Sequence, residues 1–147
     1  MVIPKRLGHI VLGVEDLDRS ECFYREVIGL KVTCRISDSM VFMTSGDLSH
    51  EIALFANATS SGELGRSDRL IHFAWQLNSF EDLKKFHKLL IKKGIPISDI
   101  GDHGISIGVY FSDPDGNAIE AYYELPKNEW PEGENIFAGK FPLGTLP

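Results

Sequence analysis

The stretch RLIHFAWQLNSF, residues 69–80, places a β-branched and aromatic run directly before a signal for the start of a helix. The earlier stretch LGHIVLGVEDL, residues 7–17, has the same order of strand pattern and helix start. In both stretches a histidine, His9 or His72, stands seven residues before the residue expected to cap the helix. A pattern that returns in this way predicts two copies of one folding unit.

Each copy is predicted to continue with one amphipathic helix and three strands. The first helix is expected between the cap Asp16 and the stop at Gly29, and the second between Ser79 and Gly94. The residues that share the inward side of these helices are Leu17, Phe23, Val27, Leu83, Phe86 and Leu90. The strand segments that follow are KVTCRI, SMVFMTS and HEIALFA in the first copy, and IPISDI, IGVYFSD and NAIEAYYE in the second.

Both copies therefore predict a βαβββ module, which makes the fold class α+β. Because the inner face of each sheet has nothing in its own module to cover it, we expect paired sheets that enclose a cleft, with the helices outside. The expected organisation is a single domain with module 1 at about 5–57, a linker at 58–68, module 2 at about 69–125 and an extended C-terminal arm at 126–147.

The arm is rich in proline and glycine and carries Trp130, Phe137 and Phe141 at irregular spacing. Three aromatic residues favour an arm that lies over the domain or over a partner subunit, rather than a disordered tail. The unpaired edge strands of the modules also favour association with a second subunit, so we expect a homodimer.

The composition excludes several classes of function. The chain has 147 residues, 43% of them hydrophobic and 24% charged, and a formal net charge of -6. It has no basic run, which argues against nucleic acid and anionic membranes as partners. We find no signal peptide and no apolar run of transmembrane length, and we interpret Cys22 and Cys34 as buried free thiols of a cytoplasmic protein.

Strand alternation groups three side chains with metal-binding chemistry. His9, His72 and Glu120 each lie on the strand face opposite most of the large apolar residues. Two histidines and one carboxylate form the facial triad of non-haem Fe(II) oxygenases. A single histidine in a strand is more often a hydrogen-bonded core residue than a metal ligand, and a single glutamate in a strand more often faces solvent. We interpret His50 and His87 as residues without a role in metal binding, and we expect His87 to be exposed.

The segment GHIVLGVEDLDRSECFYREVIGLKV resembles the first module of the vicinal oxygen chelate superfamily, and FSDPDGNAIEAYYE resembles its closing motif. Together with LIHFAWQL these segments cover nearly the whole chain up to residue 124. The resemblance implies two βαβββ modules that form a cupped mixed sheet around a metal site held by His9, His72 and Glu120. Its members include glyoxalases, fosfomycin-resistance transferases, epimerases, metal-free drug-binding proteins and extradiol ring-cleaving dioxygenases.

Within the superfamily, the chain is most similar to single-domain extradiol dioxygenases. The segment GDHGISIGVYFSDPDGNAIE resembles their signature, which implies that His103 and Tyr110 line the substrate site. Glyoxalase-type sites add a glutamate from the last strand of module 1. The preferred alignment puts Ala53 at that position, although a shift of two residues would put Glu51 there.

One feature departs from the dioxygenase pattern. Those enzymes use a further histidine shortly before the second metal-binding histidine as an acid-base catalyst. The linker has no histidine, and the nearest candidates for this role are His50 and Asn57.

The predicted function is a metal-dependent dioxygenase that acts on a catecholic or similar small aromatic diol. Fe(II) is the favoured metal, and Mn, Zn or Ni are possible. One alternative is a glyoxalase-type lyase or isomerase that acts on a dicarbonyl adduct, and another is a metal-free binding or resistance protein.

Overall fold

The computed structural model describes residues 3–56, 70–133, 135–140 and 142–146. Contacts divide the chain into two compact units, Met1–Asp68 and Arg69–Pro147. Each unit contains a four-stranded mixed sheet and a helical segment between its first two strands. This confirms the predicted α+β class and its repeated βαβββ order.

The first unit begins with strand β1. Its elements are β1 (Ile10–Val14), α1 (Leu17–Phe23), a π-helical turn (Tyr24–Ile28), β2 (Lys31–Ile36), β3 (Met40–Thr44) and β4 (Ile52–Ala56). The strands lie in the order β1-β4-β3-β2. The pair β1 and β4 is parallel, and the other two pairs are antiparallel.

The second unit has the same plan. Its elements are β5 (Phe73–Gln76), α2 (Phe80–Lys92), β6 (Ile97–Asp102), β7 (Ser106–Ser112), β8 (Ala118–Glu124) and a short 3-10 turn (Lys127–Glu129). The strands lie in the order β5-β8-β7-β6, with β5 and β8 parallel and the other pairs antiparallel.

The first helix begins and ends where the sequence predicts, but its middle differs. The Asp16 carboxylate accepts a hydrogen bond from the backbone of Arg19 at 2.9 Å, and Gly29 ends the segment with a φ of 86°. The last turn is π-helical, and Tyr24 is its first residue. Tyr24 is fully buried and Phe23 is half-buried, so Tyr24 joins Leu17 and Val27 in the core.

The second helix follows the prediction more closely. Ser79 caps it by accepting a hydrogen bond from the backbone of Asp82, and Leu83 and Leu90 are fully buried. Phe86 is half-buried, with its ring centroid 5.5 Å from that of Phe111 on β7. Helix α2 therefore packs on the face of the second sheet opposite the one that carries Tyr110 and Glu120.

Three further predictions need correction. Strands β1 and β5 begin at residues 10 and 73, so His9 and His72 stand just before the strands and not within them. Cys22 and Cys34 are free, as predicted, but both are exposed. His87, expected on the surface, is half-buried in α2.

The C-terminal arm lies along β6 of its own unit. The indole Nε1 of Trp130 donates to the carbonyl oxygen of Leu125 at 2.7 Å, and the backbone amide of Leu143 donates to the carbonyl oxygen of Ile100 at 2.7 Å. Trp130 is half-buried and Phe137 is 62% exposed. The third aromatic residue, Phe141, lies outside the described residues.

Within the described part of the chain, neither helix has the length and apolarity that a membrane span requires.

Candidate metal and substrate site

Strand register makes the two modules equivalent residue by residue. Val11 on β1 pairs with Ala53 on β4, and Ala74 on β5 pairs with Glu120 on β8. Val11 and Ala74 each stand two residues after the repeated histidine. Ala53 is therefore the counterpart of Glu120, which agrees with the preferred alignment of the sequence.

The pairing continues across each sheet and produces two equivalent rows of side chains. In the second unit the row is Ala74, Glu120, Tyr110 and Asp99. In the first unit it is Val11, Ala53, Phe42 and Cys34. Directly opposed residues project from the same face, so each row is a continuous line of neighbours. In the second unit the row carries the carboxylates of Glu120 and Asp99 and the phenol of Tyr110. The equivalent positions of the first unit carry the methyl group of Ala53, the thiol of Cys34 and the phenyl ring of Phe42.

His72 and Glu120 converge at one end of the second row. The Nε2 atom of His72 lies 3.3 Å from Oε2 of Glu120. Glu120 is only 8% exposed although it carries a carboxylate. A buried carboxylate needs a partner, and His72 supplies one in this structure.

The same two atoms suit a divalent metal. Two ligand atoms 3.3 Å apart would subtend roughly 100° at an ion about 2.1 Å from each, close to tetrahedral and octahedral angles. Among the described residues, however, no group of three or more His, Cys, Asp and Glu side chains forms a complete metal site. The pair His72 and Glu120 therefore fits part of a metal site.

His103 and Tyr110 lie beside this pair. The Nε2 atom of His103 is 2.7 Å from the Tyr110 hydroxyl and 3.9 Å from Oε1 of Glu120. The ring of Tyr110 also meets the ring of His72 edge to face, with 5.5 Å between centroids. The structure thus brings four of the predicted site residues together in the second unit.

The environment of Tyr110 keeps its hydroxyl protonated. Burial raises the pKa of Tyr110 far above its ordinary value, and the negative charge of Glu120, a hydrogen bond with Glu120 and the charge of Asp99 raise it further. A protonated phenol can donate a hydrogen bond to an oxygen atom. Tyr110 is therefore suited to bind a substrate oxygen rather than to act as an anion.

Gly108 provides the space that the Glu120 carboxylate occupies. A Cβ atom added at Gly108 would overlap Oε1 of Glu120 and lie 3.0 Å from its Cδ atom. Gly108 is paired with Gly101 on β6 and with Tyr122 on β8. The carboxylate of Glu120 therefore lies over the backbone of β7 where no side chain intervenes.

A cavity of about 340 Å³ opens at this end of the second sheet. Its lining includes Ile71, His72, Ser98, Asp99, Tyr110 and Ala118. The cavity is large enough for a small aromatic molecule, and His72 and Tyr110 offer it polar contacts.

The remaining predicted ligand, His9, lies in the first unit. Its ring centroid is 4.5 Å from that of His50, whose Nδ1 atom is 3.1 Å from the hydroxyl of Ser49. Phe42, the counterpart of Tyr110, also contacts His50. His50 thus lies next to a predicted metal ligand, whereas Asn57, the other candidate for the acid-base role, lies outside the described residues.

The carboxylate of Glu51 is held by hydrogen bonds with its neighbours. Its carboxylate accepts hydrogen bonds from the Ser45 hydroxyl at 2.7 Å and the Ser45 amide at 3.1 Å. Partial burial alone would raise the pKa of Glu51, but hydrogen bonds with Thr44 and Ser45 outweigh it and lower the pKa. Glu51 is therefore a hydrogen-bonded carboxylate just before β4.

Sequence reasoning missed two residues of the second unit, Asp99 and Gly108. Asp99 stands opposite Tyr110 because the register of β6 shifts between Ile97 and Asp99. Such a bulge depends on the partner strand and has no mark in this stretch of sequence. The signal at Gly108 was a glycine inside a strand pattern, which often marks a close approach.

The family of the chain follows from comparison with known proteins. The family model for the Glyoxalase/Bleomycin resistance protein/Dioxygenase superfamily matches residues 6–121, and the chain belongs to this superfamily. The chain is also similar to a solved structure of lactoylglutathione lyase from Agrobacterium tumefaciens. That match has 24% sequence identity and a TM-score of 0.67 and covers 82% of this chain and 94% of the other, which supports the fold.

Two curated relatives are named as dioxygenases. The chain is 35% identical to catechol-2,3-dioxygenase of Bacillus subtilis (strain 168), over 84% of this chain and 43% of that protein. It is 30% identical to manganese-dependent 2,3-dihydroxybiphenyl 1,2-dioxygenase of Geobacillus genomosp. 3, over 88% of this chain and 40% of that protein. The matched part is thus less than half the length of either relative.

Proposed function

We propose that the chain is a metal-dependent dioxygenase of the extradiol type that acts on a catecholic or similar small aromatic diol. The observation that carries this proposal is the convergence of His72, Glu120, Tyr110 and His103 in one unit. The similarity to two proteins named as dioxygenases of aromatic diols supports the same activity.

In this proposal His9, His72 and Glu120 hold the metal, with Fe(II) favoured and Mn as the first alternative. A metal bound by two histidines and one carboxylate keeps open positions, where it would bind both hydroxyl groups of a diol and activate oxygen. His72 would contribute a ring nitrogen, and Glu120 would contribute a buried carboxylate whose charge the ion would offset.

Tyr110 and His103 have the role of binding substrate oxygens. The Tyr110 hydroxyl remains protonated and donates a hydrogen bond, and His103 positions that hydroxyl at 2.7 Å. Donors fixed in advance near a developing negative charge stabilise it without reorganisation. The pair therefore stabilises the oxygen of the diol that becomes more negative during ring cleavage.

The glyoxalase-type alternative requires a fourth protein ligand from β4. Ala53 is the counterpart of Glu120 by strand register, and the carboxylate of Glu51 accepts hydrogen bonds from Ser45. Both observations favour the three-ligand site. In the metal-free alternative, His72 would serve only as the partner of the buried Glu120 carboxylate.

The test is oxygen uptake by protein loaded with Fe(II) under anaerobic conditions and then mixed with a catechol. We expect uptake by the wild type and its loss in His72→Ala, because the variant lacks a ligand. His87→Ala is the matched control, since it removes a histidine from α2 of the same unit, and it should keep the activity.

Metal content measured on the same samples separates the alternatives. Bound iron without oxygen uptake across a broad panel of catechols would contradict the dioxygenase proposal. Protein purified without chelator that holds no metal, and takes up none, would favour the metal-free alternative.

A further inference from the structure

Asp99 belongs to the same face of the second sheet as the proposed catalytic residues. It is directly opposite Tyr110, which is directly opposite Glu120. The bulge between Ile97 and Asp99 determines this position, because it leaves Ser98 as the extra residue of β6. The side chain of Asp99 therefore continues the row that begins at Glu120.

The side chain of Asp99 is oriented by its own backbone. Its Oδ1 atom accepts a hydrogen bond from the amide of Ile100 at 2.8 Å. Asp99 also lines the 340 Å³ cavity together with His72 and Tyr110. A substrate ring in contact with Tyr110 would consequently meet a carboxylate held in a fixed position.

Neither lysine nor arginine stands beside Asp99 among the described residues that line this cavity. The negative charge of Asp99 acts across the row, where it adds to the other influences that keep Tyr110 protonated. In the proposed function the metal ion offsets the charge of Glu120. The negative charge of Asp99 would then interact with any charged substituent on the substrate ring.

We propose that Asp99 determines the charge preference of the substrate site: it disfavours diol rings that carry a carboxylate and favours rings that carry an ammonium group or an uncharged substituent. A like charge a few ångströms away is repelled and an opposite charge is attracted, by about 1 kcal/mol or more at 4 Å even in water. This inference rests on the proposed dioxygenase function and adds the substrate class to it.

The test compares three catechols of similar size that differ in charge. These are 4-ethylcatechol, 3-(3,4-dihydroxyphenyl)propionate and 4-(2-aminoethyl)catechol. For the wild type, kcat/KM should be lowest with the carboxylate. Asp99→Asn should raise kcat/KM for the carboxylate about tenfold and lower it for the ammonium compound by a similar factor, since one charge is removed. The uncharged compound should change much less.

Anaerobic titration of the metal-loaded protein with the same three compounds, followed by tryptophan fluorescence, gives dissociation constants without turnover. Their ratios should shift in the same directions in Asp99→Asn. Glu81→Gln is the matched control, because it removes an exposed carboxylate from α2, on the other face of the sheet, and should leave all ratios unchanged.

The outcomes separate the two proposals. If the wild type neither binds nor cleaves any of the three compounds, the proposed function fails and this inference fails with it. If the wild type cleaves them but Asp99→Asn has the same ratios as the wild type, only the inference about Asp99 is overturned. Opposite shifts for the two charged compounds support it.

Discussion

At the scale of single residues, the chemistry of the second unit depends on what stands beside Glu120. Tyr110 and His103 lie on one side of its carboxylate, and His72 approaches its other oxygen. Gly108 contributes by having no side chain. Because these neighbours fix the position of the buried Glu120 carboxylate, it is suited to bind a metal ion without rearrangement.

Gly108→Ala tests this account of the Glu120 position. The added methyl group would overlap the carboxylate, so Glu120 must move, and we expect metal affinity to fall by roughly 10- to 100-fold. The measurement is anaerobic titration with Fe(II) or Mn(II). Gly46→Ala is the control, because a Cβ atom at Gly46 would meet nothing within 4 Å.

Thermal unfolding of the metal-free variants shows whether the effect of Gly108→Ala is specific to the site. If Gly108→Ala binds the metal as tightly as the wild type, the Glu120 carboxylate does not need the space over β7, and this role of Gly108 is contradicted.

Most residues of the proposed site could be named from the sequence alone. The histidine repeat indicated His9 and His72, strand alternation indicated Glu120, and the resemblance to the extradiol signature indicated Tyr110 and His103. Asp99 could not be found in this way, since it reaches the row only through a bulge in β6. Whether His9 joins His72 and Glu120 at one metal ion stays a prediction.

At the scale of elements, the sequence indicated the strands and helices where capping and turn residues are strong. Asp16, Ser79 and Gly29 mark helix ends that the structure confirms. The π-helical turn after α1, which begins at the buried Tyr24, was not predicted. The C-terminal arm was expected to lie over the domain or over a partner subunit; in the structure it forms a hydrogen bond with β6 of its own unit, and Phe137 on it is exposed.

The capping of α2 gives a prediction at this scale. In Ser79→Ala the backbone amide of Asp82 loses its acceptor, and we expect the free energy of unfolding to fall by about 1 kcal/mol. Urea denaturation followed by circular dichroism measures this change.

Ser79→Asp is the control, since aspartate can cap the helix in place of serine and should restore most of the stability. A change in Ser79→Ala below a few tenths of a kcal/mol would show that the cap contributes little to stability.

At the scale of the whole molecule, the two units share one fold but differ in their polar side chains. The two sheets have the same strand order, and their rows are equivalent by register. Only the second row contains carboxylates and a phenol, while the first unit contributes His9 to the proposed site. In the proposed site, one metal ion would therefore be bound by residues of both modules. Formation of a single domain and of a homodimer stays a prediction.

The most direct test of this central claim is the number and affinity of divalent metal ions bound by the wild type and by single variants, measured anaerobically by titration and elemental analysis. We predict one ion per chain, with affinity lost in His9→Ala, His72→Ala and Glu120→Ala and retained in Glu51→Gln. If His9→Ala binds the metal as tightly as the wild type, or if Glu51→Gln loses it, the three-ligand site is contradicted.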